Sequence, residues 1–276
     1  MYALKNSASR LAGILMKLLV SAIFIFPFLW MVSLSFQTLA ETQMMPVTLI
    51  PGSLNFQNFV DAWNCAPFAT YIQNSIVIII SVIALQTLIM VPAAYAFAKF
   101  DFKGKGILFS IVLIAFMMPV QITFLPIYYM MADLNLKNTL LPQIIPFMTN
   151  AFGIFLLRQY FMQVPDELIE AARLDNAGEL QILSKIMLPM SKPGISAIAL
   201  LSFVGHWNDY FWPLVMTNVE NIRPITIGVA RLKDVEGNLQ WNLIMAGNMF
   251  LVLPILVIYI LSSQYIINSF AYSGIK

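Results

Sequence analysis

Charge is what this sequence has least of. Asp, Glu, Lys and Arg make up 10% of its 276 residues, against ~25% in an ordinary soluble domain. Hydrophobic residues make up 60%, and the mean hydropathy is +0.81. That balance excludes a water-soluble globular fold and makes lipid the relevant solvent. Cysteine and histidine occur once each, as Cys65 and His206. A single cysteine excludes a disulfide framework within the chain and any multi-cysteine metal site. A single histidine falls short of the three or four ligands that a zinc site takes. The net charge is +2 with no basic patch, which leaves no footing for nucleic acid. No Gly-x-x-x-x-Gly-Lys-Ser/Thr run is present. Gly104-Lys105-Gly106 comes nearest, without the upstream glycine or the hydroxyl residue. With no Gly-x-Ser-x-Gly elbow and no His-Glu-x-x-His pair either, the chain carries no enzyme signature.

What the chain has instead is length of apolar sequence. A membrane span takes ~20 apolar residues, and six segments reach that: about 12–34, 72–98, 106–131, 139–160, 193–217 and 243–265. Lys5, Arg10 and Lys17 precede the first, as in a signal peptide. Its uncharged stretch Leu18–Ala40 nevertheless exceeds the ~7–15 residues of a signal core and is read as a retained span. Six spans predict an all-α membrane protein, a single transmembrane domain over 1–276, with both termini on one side. With the termini inside, Lys5, Arg10, Lys17, Lys99, Lys103, Lys105, Arg158, Arg173, Lys185, Lys192 and Lys276 fall on the cytoplasmic side. Only Lys137, Arg223, Arg231 and Lys233 fall outside, as the positive-inside rule requires. In the first outer loop, Leu54, Phe56, Phe59, Val60 and Trp63 alternate with Asn55, Gln57, Asn58 and Asp61. That pattern suits a short helix lying in the membrane interface.

Between the fourth and fifth apolar segments the chain turns abruptly polar. Residues 165–189 read PDELIEAARLDNAGELQILSKIMLP. Pro165 suits a first helical turn, and Asp166, Glu167 and Glu170 favour the positive end of a helix. Asn176-Ala177-Gly178 should end that helix, because Asn and Gly tolerate the left-handed region. A second helix is expected from about Glu179 until Pro189 stops it. Small side chains at Ala171 and Ala172 would let another protein's backbone approach. The bland alternative is a connector lying on the membrane surface.

Glu170-Ala171-Ala172, then Gly178, then Ile186-x-Leu188-Pro189 resembles the EAA loop of binding-protein-dependent ABC importer permeases. The glycine usual to that pattern falls at Asn176, where a left-handed turn is still expected. The segment Trp207-Asn208-Asp209-x-x-Trp212-Pro213-Leu214, the run SLNFQNF and the C-terminal ILSSQYIINSFAYSGIK resemble the maltose-type carbohydrate branch, in its second permease subunit. The resemblance implies a type I importer permease fold with a cytoplasmic coupling helix–turn–helix. It implies as partners a homologous second permease, two copies of a cytoplasmic ATPase and an extracellular sugar-binding protein. No cofactor would be bound by this chain; ATP and magnesium would sit in the ATPase. The cargo would be a carbohydrate of oligosaccharide size, and the location the bacterial cytoplasmic membrane. Glu170, Ala171, Ala172, Asn176, Gly178, Ile186, Leu188 and Pro189 would couple to the ATPase.

Polar residues inside apolar segments are the candidates for a substrate pathway: Gln86, Gln121, Asn150, Trp207, Asn208, Asp209 and Asn248. Amides and aromatic faces suit a neutral, hydroxyl-rich cargo, although hydrogen bonding between helices explains any one of them as well. Asp209 is the single acid well inside an expected span. That leaves little for an ion relay, the requirement of a rival reading as an ion-coupled secondary carrier. A second rival, a membrane assembly protein that transports nothing, has no use for the helix–turn–helix. Prolines 92, 119, 126, 146 and 254 are candidate kinks.

Overall fold

Apolar runs this long, with no two-residue alternation, satisfy their backbone in lipid as helices. The computed structural model describes residues 2–46, 48–233 and 239–271, with side-chain surroundings for 13–46, 48–233 and 239–261. Every regular element among them is helical. The order is α1 (Tyr2–Phe36), α2 (Leu39–Thr42), α3 (Gln57–Asn64), α4 (Phe68–Lys99), α5 (Lys105–Met117), α6 (Val120–Asp133) and, after two 3-10 turns, α7 (Ala151–Met162). There follow α8 (Asp166–Leu174), α9 (Glu179–Ile182), a π turn (Leu183–Met187), α10 (Leu188–Met190), α11 (Lys192–Trp207), α12 (Phe211–Met216), α13 (Ile225–Arg231) and α14 (Trp241–Ala271).

Among the described residues, three helices are long and apolar enough to cross a bilayer: Gly13–Phe36 of α1, all of α4, and Trp241–Leu261 of α14. They take in the expected segments 12–34 and 72–98 and most of 243–265. The other three expected segments are interrupted. In 106–131, α5 and α6 meet at 96°. Pro119 lacks a donor and pushes Met118 into extended backbone (ψ 121). In 139–160, the turns Leu141–Gln143 and Ile145–Phe147 carry Pro142 and Pro146, and regular helix begins only at Ala151. In 193–217, α11 stops at Trp207 and α12 starts at Phe211. Pro92, Pro126 and Pro254, by contrast, lie inside helices that run through them.

The chain divides into two units. The first comprises 1–68 and 228–254 and is organised by one amide. Asn58 is buried, and its Nδ2 donates to the carbonyls of Ser35 (2.9 Å) and Gln37 (2.7 Å). Its Oδ1 accepts from Asn242 Nδ2 at 2.9 Å. Asn55 N–H takes the Phe36 carbonyl and Gln37 N–H the Leu34 carbonyl. The last carbonyls of α1, orphaned as at any helix end, are therefore paired by the segment that follows. Glu41 closes the intervening loop in a capping box with Thr38 and accepts from Gly52 N–H. Those N–H bonds, Thr38 first, hold its carboxyl below the usual carboxylate range. The expected short helix is α3, and its polar Asn58 faces inward while Phe56, Val60 and Trp63 are exposed. Next to α3, partial burial, then the charge of Asp61, pushes the Cys65 thiol up.

The second unit comprises 69–227 and 255–276. Its main core packs Met90, Val91, Ala94 and Tyr95 of α4 with Ile154, Leu157 and Phe161 of α7. Ile169, Ile182, Leu183, Met187 and Ile198 from the polar interruption and α11 complete it. The C-terminal carbonyls of α4 are capped by side chains: Arg158 Nε donates to Phe97 and Lys105 Nζ to Phe100.

Replacing Asn58 with Ala should strand two buried carbonyls, at about 1–3 kcal/mol each. The thermal midpoint of the purified protein should fall by roughly 5–10 °C. Asn58→Asp keeps the acceptor for Asn242 but loses both donors, and should be no better than Ala in the same thermal scan.

Candidate functional site

The polar interruption folds as a helix–turn–helix. Extended Pro165 (ψ 135) opens α8, with Asp166 and Glu167 in the first turn and Arg173 in the last, each at the favourable end of the dipole. The helix closes in a Schellman motif: Ala177 N–H donates to the Ala172 carbonyl and Asn176 N–H to that of Arg173. Asn176 sits at φ 60, the left-handed conformation expected of it. Gly178 is not left-handed. It lies extended at φ −72 and ψ 159, with open space where a Cβ would stand. The left-handed duty falls on Asn176 alone because a single such residue completes the motif.

Nor does Pro189 stop the second helix. The chain passes through it to Met190 and turns by 79° at Ser191. The π turn just before it makes this possible, since a regular helix would have needed the N–H that proline lacks. After the turn, α11 packs against Tyr160, whose ring lies 2.5 Å from where a Cβ on Gly194 would stand.

The two alanines of the motif do different jobs. Ile169 and Ala172 face the core, as do Ala177, Ile186 and Leu188. Glu170 and Ala171 face out, one helical stripe with Glu167 and Leu174. Leu174 is 84% exposed and Leu180, across the turn, 79%. Sequence reasoning passed over both leucines; the signal was their place off the stripe of Ile169 and Ala172. Polar contacts fix the motif from behind. Tyr95 OH donates to Glu179 Oε2 (2.7 Å), and Arg173 pairs with Glu179 Oε1 (2.9 Å). Lys99 Nζ reaches the Val164 carbonyl and Asp166, both at 2.6 Å. Beside α8 an open cleft of about 400 Å³ is lined by Lys99, Asp101, Lys105, Asp166, Glu170 and Arg173, among others. Its lysines are already engaged by carbonyls and carboxylates.

The pathway candidates fall into two groups. Gln86 bridges the Phe147 carbonyl (2.9 Å) and Ser202 Oγ (2.6 Å). Asn150 caps α7 by accepting from Gly153 N–H, and Asp209 accepts from Trp212 N–H. Trp207 is buried against Phe203, and Asn248 donates to its own helix at Ile244. These side chains serve the backbone or the packing. Gln121 is exposed beside the break at Pro119; Asn208, after Trp207, is exposed as well, although its Nδ2 donates to its own helix at the Val204 carbonyl (2.9 Å). The breaks meet in an aromatic cluster, with Phe124 4.9 Å from Phe211 and 5.4 Å from Trp212, and Phe147 5.3 Å from Trp212. Trp212 Nε1 donates to the Pro142 carbonyl at 2.6 Å.

Residues 90–272, which contain the helix–turn–helix and every break, match the family described as "Binding-protein-dependent transport system inner membrane component". The chain belongs to that family. This permease is 34% identical over 260 residues to the arabinooligosaccharides transport system permease protein AraQ of Halalkalibacterium halodurans, with 93% of each chain covered. It is 31% identical over 230 residues to the sn-glycerol-3-phosphate transport system permease protein UgpE of Yersinia pestis, covering 81% of this chain and 82% of that one. Among solved structures it matches one described as a bacterial ABC transporter involved in the import of the acidic polysaccharide alginate. The TM-score there is 0.84 at 26% identity, over 94% of this chain and 97% of the other. The fold is therefore that of an ABC importer permease, a multi-pass inner-membrane component and not an enzyme in its own right.

The turn offers a direct test. Asn176→Gly should be tolerated, since glycine reaches φ 60 without strain. Asn176→Val should cost about 1–3 kcal/mol and expose the loop to limited proteolysis at matched membrane levels. Equal proteolysis of the two variants would remove the left-handed turn from this account.

Proposed function

We propose that the chain is the permease half of an ATP-driven importer of a neutral oligosaccharide. It would pair with a homologous permease, with two copies of a cytoplasmic ATPase that hold ATP and magnesium, and with an extracellular sugar-binding protein. The six apolar segments would form one transmembrane domain, with both termini and the 165–189 loop in the cytoplasm. The observation that carries the reading is the outward stripe of α8, Glu167, Glu170, Ala171 and Leu174, on a motif whose opposite face is locked into the core. A protruding, rigidly backed apolar–acidic stripe is what a docking helix needs. An ATPase that moves it would move α4, α7 and α11 together. Ala172, Asn176, Ile186, Leu188 and Pro189 would act by holding the motif in shape, with Gly178 joining its two helices.

The saccharide part of the cargo reading draws on AraQ and the alginate transporter; its neutrality, which the acidic alginate does not share, draws on chemistry alone. Stretches 106–136, 139–157 and 193–222, which contain the three breaks, hold no Lys or Arg. A phosphate such as that of the UgpE cargo would call for such groups. Exposed Gln121 and Asn208 beside the rings of Phe124 and Phe211 suit hydroxyls and sugar faces instead.

Docking is tested by Leu174→Glu and Glu170→Lys in the reconstituted complex. Burying one leucine contributes about 1.5–3 kcal/mol, so Leu174→Glu should weaken ATPase association at least ~10-fold. Both variants should insert normally and lose ATP-dependent uptake. Full uptake that survives ATP depletion and collapses with the ion gradient would instead establish an ion-coupled carrier.

A further inference from the structure

We propose that residues 44–46 and 48–63, between α1 and α4, form a bilayer-surface anchor that holds the end of α1 at the depth of the lipid headgroups. Most of the large apolar side chains here are exposed, together with Gln57 and Asp61, while the buried amides Asn58 and, just before the stretch, Gln37 face the protein. Gln37 and Asn58 are buried, whereas Met45 is 89% exposed and Ile50 82%, with Leu54, Phe56, Val60 and Trp63 exposed as well. On α3 the division follows the helical period: Phe56, Val60 and Trp63 form one stripe, while Asn58 and Ala62 take the buried side.

The Asn58 pin sets this orientation. Its donors occupy the Ser35 and Gln37 carbonyls, so α3 cannot roll its apolar stripe inward without stranding them. Glu41, through Thr38 and Gly52, and Ser33 Oγ, through the Leu49 carbonyl, hold the preceding loop to the same helix end.

The occupant follows from chain continuity and charge. The stretch begins eight residues after α1 ends at Phe36 and finishes five before α4 starts at Phe68, and both helices are apolar enough to cross a membrane. Only Cys65–Pro67 separate α3 from α4, a reach of ~10 Å. The stripe therefore lies where the chain leaves and re-enters the hydrocarbon, the position where an amphipathic helix and its tryptophan settle. No Lys or Arg occurs between Lys17 and Lys99. The anchor is thus apolar, and it should bind zwitterionic and anionic bilayers alike.

Spin labels can measure this in the full complex reconstituted in phosphatidylcholine. The native thiol is first removed by Cys65→Ser. Nitroxides are then placed singly through Ile50→Cys, Val60→Cys and, off the stripe, Gln57→Cys. Labels at 50 and 60 should relax more with oxygen than with a water-soluble nickel chelate, and the label at 57 the reverse. The readings should hold when phosphatidylglycerol replaces half of the lipid. Nickel access at 50 and 60 would place the stripe in water. Protection from both reagents would place it against a protein partner. A lipid-facing signal confined to the anionic bilayer would make the contact electrostatic. Each of these three results would overturn the proposal.

Discussion

A backbone N–H or C=O that leaves a helix inside a membrane must find a partner within the protein, because lipid offers none. That constraint accounts for where this chain keeps its few polar side chains. At several helix ends and interruptions, a side chain takes up what the helix releases. Asn58 serves the end of α1, Arg158 and Lys105 the end of α4, and Gln86 and Trp212 the broken stretch before α7. Asn74, similarly, holds the carbonyls of Asn221 and Arg223. The breaks are what shape the surface left open between them.

The helix–turn–helix obeys the same logic at the edge of the apolar region. Its two short helices are too small to be stable alone and are held by the core they share with α4, α7 and α11. Backing of this kind turns a surface motif into a lever. Force on its outer stripe passes to three helices at once, because Ile169, Ile182 and Met187 leave no slack behind it.

Apolar length was enough to locate α1, α4 and α14, since an apolar run of 20 or more residues has no alternative to a helix in lipid. The helix–turn–helix could be read from its capping chemistry, and Asn176 from the tolerance of Asn for positive φ. The broken segments could not. Hydropathy averages over a window and does not see a turn closed by remote side chains, such as Trp212 reaching Pro142 across 70 residues. For the same reason Gln86 and Asn150 read as pathway residues although both bind backbone. Whether an amide faces a cavity or a carbonyl is a tertiary fact. Leu174 was missed because an apolar residue in an apolar chain draws no notice until its exposure is known.

The π turn before Pro189 has a consequence for chain length. A π turn is a helix carrying one residue more than its regular path needs. Because the π turn absorbs that residue locally, the turns on either side keep their phase, whereas a one-residue insertion or deletion elsewhere in the stretch, with nothing to absorb it, would rotate everything that follows by about 100° about the axis. Gly194 would then no longer meet Tyr160, and Ile198 would leave the core. The number of residues between the turn at Asn176 and the start of α11 is therefore as constrained as their identity. A length change that nothing absorbs would put the outward stripe of α8 and the helix behind it out of phase.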